Sequence, residues 1–165
     1  MESALVSPYL TTSTYSTATE WNNISSNVHV SVQYHGGGMP TGGFLLVQGD
    51  SLYSDDDPVL GTTYAYGSNG GNTSLNSNWI SVIIYMDTGN HYNGMSSAKK
   101  TFKHEVGHAL KLAHPFAFSP LQYHTHGTYN NLPVSVMNQG YPNSDEISVN
   151  IEAHDKLLLK NKWGV

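Results

Sequence analysis

The sequence predicts a single α+β domain, in which one helix precedes four strands and two helices follow them. Four segments have the apolar pattern of strands, and three have helical periodicity. The 165 residues suffice for one domain with its own core. The predicted strands span 27–35, 44–49, 61–67 and 79–87, and the predicted helices span 11–26, 96–111 and 148–162.

The predicted strands differ in how far they should be buried. Residues 27–35 alternate between apolar and polar side chains, which indicates one covered face. Residues 79–87 are apolar at nearly every position, so we expect a central strand covered on both faces. Residues 61–67 form a short strand between glycines, whereas the Asn, Gly and Ser of 68–78 predict a loop.

The predicted helices begin at hydroxyl side chains that can cap them. In 11–26, apolar side chains recur every three residues, and we expect Trp21 in the core. The helix over 96–111 begins at a pair of serines. The helix over 148–162 begins at Ser148 and carries lysines in its last turn, where the helix dipole favours cations.

The second predicted helix carries the pattern His-Glu-x-x-His, with a third His six residues later. Residues four apart share one helix face, so His104 and His108 can bind one ion and Glu105 can reach a water on it. A catalytic zinc has three protein ligands and one open position, which makes His114 the expected third ligand. Because a straight helix would carry His114 too far along its axis, the helix must end near Lys111 and the chain must turn back.

These eleven residues, with Met137 in Ser-Val-Met-Asn further along, resemble the signature and Met-turn of the metzincin zinc peptidases. The resemblance implies a twisted, mostly parallel sheet with an antiparallel edge strand, packed on the zinc helix and a first helix. It also implies a small C-terminal subdomain that ends in a helix. The single catalytic domain, 1–165, would divide into an upper subdomain, about 1–114, and a lower subdomain, 115–165.

The sequence departs from the metzincin signature at Lys111, where the family has a Gly in the turn. A residue other than Gly is strained by roughly 1 kcal/mol at positive φ. Either Lys111 accepts this strain or the turn is built differently. Tyr141, four residues after Met137, matches the Tyr that walls the matrixin S1′ pocket, and the additional Tyr ligand of astacins and serralysins is absent. The resemblance is therefore to a matrixin-like catalytic domain.

The resemblance implies a zinc-dependent endopeptidase, in which Glu105 is the general base for a zinc-bound water. A composition rich in Ser, Thr, Asn, Gly and Tyr and poor in Lys and Arg favours a secreted protein, and an intracellular prokaryotic protein is the alternative. The partner would be a protein or peptide substrate, extended along the sheet edge at 61–67. Tyr64 and Tyr66 would share one face beside this substrate, and Tyr141 would stand at the pocket for one of its side chains. We expect a monomer.

Two other functions stay open from the sequence. The domain could hold zinc without catalysis and act in binding or adhesion, if Lys111 distorts the turn and misplaces His114. Alternatively, an acidic residue could be the third ligand, as in thermolysin-like enzymes, with His114 idle. Glu146 and Glu152 are the candidates for that role.

Further metal sites have weaker support in the sequence. Asp50 and the three aspartates 55–57 offer oxygen ligands that suit Ca²⁺, which matrixins hold, although a solvated loop is the favoured interpretation. His124 and His126 would share a face in an extended segment, but no third ligand accompanies them.

The composition argues against several classes of protein. With a net charge of −5, seven Lys and no Arg, the chain lacks the basic patch of a nucleic-acid binder. No run approaches the roughly 18 apolar residues of a membrane span. The absence of Cys rules out disulfides and a Cys-based latency switch within these residues. Because the first residues lack the pattern of a signal peptide, we expect a signal and propeptide to have been removed.

Overall fold

The protein has an α+β fold with a mixed, four-stranded sheet. The structure, a computed structural model, describes residues 7–32, 44–52, 59–89, 91–114, 135–138 and 149–165, with backbone only at 44–46. Among the helices in these ranges, none has the length and apolarity needed to cross a membrane. The elements in chain order are α1 (Thr12–Tyr15), a 3₁₀ helix (Ser16–Trp21), β1 (Phe44–Asp50), β2 (Gly61–Tyr66), β3 (Asn72–Thr73), β4 (Ser81–Asp87), α2 (Gly94–Ala109) and α3 (Ala153–Trp163).

The strands lie in the order β1-β4-β2-β3. β1 runs parallel to β4, whereas β2 is antiparallel to both β4 and β3. The sheet is therefore mixed, and β2 is the strand that runs opposite to its neighbours. β3 lies within the predicted loop 68–78 and pairs with Ala65 and Tyr66 alone. In the described part of the chain, the outer edge of β2 is thus unpaired over Gly61–Tyr64.

β4 is central, as predicted, but only one of its faces is fully covered. Val82, Ile84 and Met86 are completely buried. Ile83 and Tyr85 alternate with them and are half-buried on the other face. The strand is apolar on both sides because tyrosine and isoleucine also occupy its partly exposed face.

α2 lies between the sheet and the N-terminal helices. It packs on β2 and β4 with one side and on α1 and the 3₁₀ helix with the other. Tyr15 meets Phe102 edge-to-face, with ring centroids 5.3 Å apart. Trp21 is fully buried, as expected, and its Nε1 donates to the carbonyl of Lys103. The helix predicted over 11–26 is shorter than expected, since it tightens to a 3₁₀ helix and ends at this tryptophan.

The prediction of a strand over 27–35 is wrong for the described residues, 27–32. Residues 28–32 have no regular secondary structure, and 33–35 lie outside the described residues. The side chain of Asn22 binds both backbone polar groups of Val30, at 2.8 Å to its oxygen and 2.6 Å to its nitrogen. A side-chain amide therefore takes the place of a neighbouring strand.

The longer helices begin at other residues than the predicted serines. α2 begins at Gly94, before the serine pair, and follows Asn93 without a side-chain cap. α3 begins at Ala153 rather than at 148, because Glu152 and Asp155 form a reciprocal capping box. The lysines lie in its last turn, as expected.

A lysine is buried within α2. Lys100 is 5% exposed, and its burial lowers the pKa of the ammonium group from 10.5 to about 8. Below pH 8 the lysine is charged in both the folded and the unfolded state, so the desolvation cost is complete at pH 7. As the pH rises from 8 to 10.5, the folded protein releases the proton first and gains stability.

We expect Lys100→Met to raise the free energy of unfolding of the metal-free protein by roughly 1–3 kcal/mol at pH 7, with a smaller gain at pH 9.5. Urea unfolding at both pH values measures the difference. Lys156→Met, at an exposed position of α3, is the control and should change little. An equal gain at both pH values would show that removal of the charge is not the cause.

Candidate metal centre

The structure brings together the three histidines of the motif. His104 and His108 lie one turn apart on α2, and His114 follows the turn after its end. The Nε2 atoms form a triangle with sides of 2.9 Å (104–114), 3.0 Å (108–114) and 3.1 Å (104–108). Across the described residues, these three form the only group of His, Cys, Asp or Glu close enough to share one ion.

Backbone carbonyls orient two of the rings. Nδ1 of His104 lies 2.9 Å from the oxygen of Val136, and Nδ1 of His108 lies 2.8 Å from the oxygen of Leu112. Because a carbonyl only accepts, each Nδ1 carries the hydrogen, and Nε2 of the neutral ring has a free lone pair. Burial lowers the pKa of His104 well below its usual value and that of His114 to about 4. The rings of His104 and His114 are therefore neutral at pH 7.

This arrangement fits a metal ion. Two neutral imidazoles that point lone pairs at each other across about 3 Å cannot hydrogen-bond and repel each other, whereas a shared cation makes the same approach favourable. Nitrogens separated by these distances can each lie about 2.0–2.1 Å from a single zinc. Hydrogen bonds from Nδ1 to carbonyls are the usual support of zinc-binding histidines.

The turn after α2 has the strained geometry that the sequence left undecided. Lys111 has a φ of 67°. Its N–H donates to the carbonyl of His108 at 2.9 Å, and the N–H of Leu112 donates to that of Gly107 at 3.0 Å. This pair of bonds is a Schellman motif, in which the residue at positive φ is usually Gly. Lys111 thus accepts the strain, and His114 still reaches the other two rings.

Met137 lies against the opposite side of α2 from the sheet. It is fully buried in the segment Ser135–Asn138, where the chain makes a turn. A Cβ at Gly107 would overlap its Sδ and would approach Trp21 to 3.1 Å. The missing side chain of Gly107 therefore lets Met137 pack against the helix between His104 and His108.

A buried carboxylate ties this turn to α3. Asp155 is fully buried and accepts from the hydroxyl of Ser135 and the N–H of Val136, the latter at 3.0 Å. It also accepts from the N–H of Glu152 at 2.9 Å. Because the carbonyl of Val136 orients His104, Asp155 supports a histidine that it does not touch.

Glu105 is buried against β2. It is 5% exposed, and its Oε2 accepts from the hydroxyl of Thr63 at 2.6 Å. A Cβ at Gly61 would come within 2.9 Å of the Glu105 Cγ and 2.8 Å of Thr101, so only glycine allows this approach. Burial raises the pKa of Glu105, while His108 and the bond from Thr63 act in the opposite direction. Its carboxylate is therefore a stronger base than an exposed glutamate.

The predicted substrate-binding tyrosines lie on the other side of the sheet. Tyr64 and Tyr66 share one face, as expected, and line a shallow groove with Tyr85. Thr63, the residue before Tyr64, contacts α2, so the tyrosine face is turned away from the helix that carries His104 and His108. Their role in binding substrate stays a prediction, and Tyr141 lies outside the described residues.

Among the described residues, no alternative ligand joins the histidines. Glu152 caps α3 and lies outside the cluster. His114, which would be idle if an acidic residue were the third ligand, belongs to the cluster. Asp50 is exposed and accepts from its neighbour Ser51. The remaining predicted ligands, Glu146, His124, His126 and the aspartates 55–57, lie outside the described residues.

Sequence reasoning did not identify the supports of this site. Thr63 is 42 positions from Glu105, and Asp155 is 19 positions from Val136. A third support, Trp163, donates to the carbonyl of Leu110 over 53 positions. No local pattern indicates such contacts. The spacing Glu152-x-x-Asp155 could have predicted the capping box, but not the second role of its aspartate.

Comparisons with protein-family models, with curated proteins and with solved structures give no significant match for this chain. A function for it is therefore inferred from the chemistry of its site.

We expect Asp155→Asn to lower the free energy of unfolding by roughly 2–4 kcal/mol, because an amide NH₂ would face donors that now share a carboxylate. Zinc affinity should fall at least about tenfold, because the Val136 carbonyl loses its anchor. Urea unfolding and competition with a chromogenic chelator measure the two effects.

Asp87→Asn is the matched control. Asp87 is also fully buried and accepts from Leu52, Gly89 and His91, but it lies at the end of β4 near the start of α2. It should lose stability without a loss of zinc affinity. If both variants weaken zinc binding equally, general destabilisation explains the effect and Asp155 has no special link to His104.

Proposed function

We propose that this protein is a zinc-dependent endopeptidase with a matrixin-like metzincin fold. The observation that carries the proposal is the triangle of Nε2 atoms on His104, His108 and His114, next to the buried carboxylate of Glu105. This donor set, with three imidazoles and room for a further ligand, is typical of catalytic rather than structural zinc.

The fold supports the resemblance in three respects. A turn with a buried methionine, Met137, lies against the helix that carries the first two ligands. An antiparallel strand, β2, runs beside the same helix, and the chain closes with a helix, α3, that anchors the methionine turn.

Zinc held by these residues would supply Lewis-acid activation of water and of the scissile carbonyl. Glu105 is the proposed general base. Its carboxylate accepts the proton that water loses on attack at the carbonyl carbon. It then returns this proton to the amine nitrogen as the C–N bond breaks. The hydrogen bond from Thr63 holds the carboxylate on the side of α2 that faces the sheet edge.

The proposed substrate is a protein or peptide in extended conformation. The edge of β2 over Gly61–Tyr64 has no neighbouring strand in the described part of the chain. Backbone groups on such an edge can pair with an added strand and require no particular side chains. Because Gly61 and Thr63 both contact Glu105, a peptide on this edge would lie next to the proposed base.

The second candidate function is a zinc-holding binding or adhesion domain without catalysis. The sequence favours this function only if a distorted turn displaces His114. Lys111 has the strained geometry, yet His114 stays within 3.0 Å of both partner rings. The intact Glu105 also favours the peptidase. Secretion and a monomeric state remain part of the proposal for the enzyme.

We expect Glu105→Gln to abolish cleavage of an unfolded protein such as casein while one zinc stays bound per chain, because the amide cannot take up a proton. Glu20→Gln is the control, since Glu20 is 44% exposed and pairs with the buried ammonium of Lys103, and neither residue belongs to the histidine cluster. Cleavage by wild type and by this control should stop on addition of a chelator and return with zinc.

Loss of zinc from Glu105→Gln would contradict the roles assigned here, because it would make Glu105 a support of the metal. Wild type that binds zinc but cleaves neither casein nor a peptide library would favour the binding domain.

A further inference from the structure

The turn that follows α2 is conformationally demanding. Its Schellman motif requires a left-handed residue, and a lysine with a φ of 67° stands there. Side chains with a Cβ disfavour this region, so Lys111 by itself would relax toward another conformation. Some other contact must offset this preference.

The residues that follow Lys111 support two of the metal ligands. The carbonyl of Leu112 orients His108 through its Nδ1 at 2.8 Å. His114 follows two residues later and places its Nε2 within 3.0 Å of the other two. If Lys111 left the left-handed region, the Leu112 carbonyl and His114 would both move. The conformation of one residue therefore controls two of the three ligands.

Trp163, at the end of α3, holds the turn from outside. Its indole Nε1 donates to the carbonyl of Leu110 at 2.7 Å. The ammonium of Lys111 lies over its ring, 5.4 Å from the centroid. The Leu110 carbonyl follows the last turn of α2 and has no helical partner, so the indole satisfies a group that would otherwise need water.

Trp163 is itself anchored. Its carbonyl accepts from the side-chain amide of Asn27 at 2.6 Å. The next residue, Gly164, has a φ of 86° and donates to the carbonyl of Lys160 at 2.7 Å. The indole thus projects from a fixed helix end toward the turn.

We infer that Trp163 is a positioning residue of the metal site, which holds Lys111 in the left-handed conformation that His108 and His114 require. The inference rests on the proposed zinc site. It predicts an energetic coupling between a residue at the end of α3 and a metal on α2, although Trp163 touches none of the three histidines.

The first test is Trp163→Phe, which keeps an aromatic ring but removes the N–H donor. Zinc affinity, measured by competition with a chromogenic chelator, should fall about tenfold. Trp79→Phe is the matched control. In the described part of the chain, its Nε1 is buried without a hydrogen-bond partner, so the loss of this donor should leave zinc affinity unchanged.

The second test separates positioning from general stability. Glycine adopts positive φ without strain, so in Lys111→Gly the turn should no longer depend on the indole. Adding Trp163→Phe to Lys111→Gly should then change zinc affinity less than about twofold, which makes the two substitutions strongly non-additive. The visible spectrum of the Co²⁺-loaded protein should change in Trp163→Phe and return to the wild-type form in the double variant.

Site-specific replacement of Trp163 by benzothienylalanine provides a second variant that preserves ring shape and packing and removes only the donor. It should reproduce the weaker zinc binding if Trp163→Phe does not fold. The inference is overturned if this variant binds zinc as tightly as wild type. It is also overturned if replacing Trp163 weakens zinc binding equally with Lys and with Gly at position 111. Failure of wild type to bind zinc would instead overturn the proposed function.

Discussion

The convergence of three imidazole lone pairs on one point is the constraint on which the rest of this structure depends. A helix can place two of them, because its period sets residues four apart on one face. The third comes from beyond the helix, so the chain must reverse within six residues. That reversal uses a left-handed residue, and the chain has a lysine there. The strain at Lys111 is thus a consequence of ligand geometry.

The site is assembled from parts that are distant in sequence. His104 depends on the carbonyl of Val136, whose own N–H is held by Asp155 of α3. The turn before His114 is held by Trp163 at the other end of the same helix. Docking of α3 therefore precedes or accompanies formation of a complete ligand set. Metal affinity and the stability of the C-terminal segment are therefore thermodynamically linked.

The sheet supports Glu105, the proposed general base. β2 approaches α2 closely enough that Gly61 has no room for a side chain, and the hydroxyl of Thr63 holds the Glu105 carboxylate. The same strand has an unpaired outer edge among the described residues. Burial makes the carboxylate more basic, and its neighbours keep that effect limited. A strand that holds the proposed base and could also position a peptide would meet two requirements of the proposed hydrolase.

By itself, the sequence determined the three histidines of the cluster, the adjacent glutamate and the place where the helix must end, because these follow from helical period and from residue type. It also identified β1 and β4 from runs of apolar residues, and β2 as a short strand between glycines. It could not show that the backbone of Val30 pairs with the Asn22 side chain instead of a strand. Only the tertiary structure decided that Lys111 accepts positive φ and that Thr63, Asp155 and Trp163 support the site. Those contacts join residues far apart in the chain, and their energies depend on burial and distance, which local pattern does not encode.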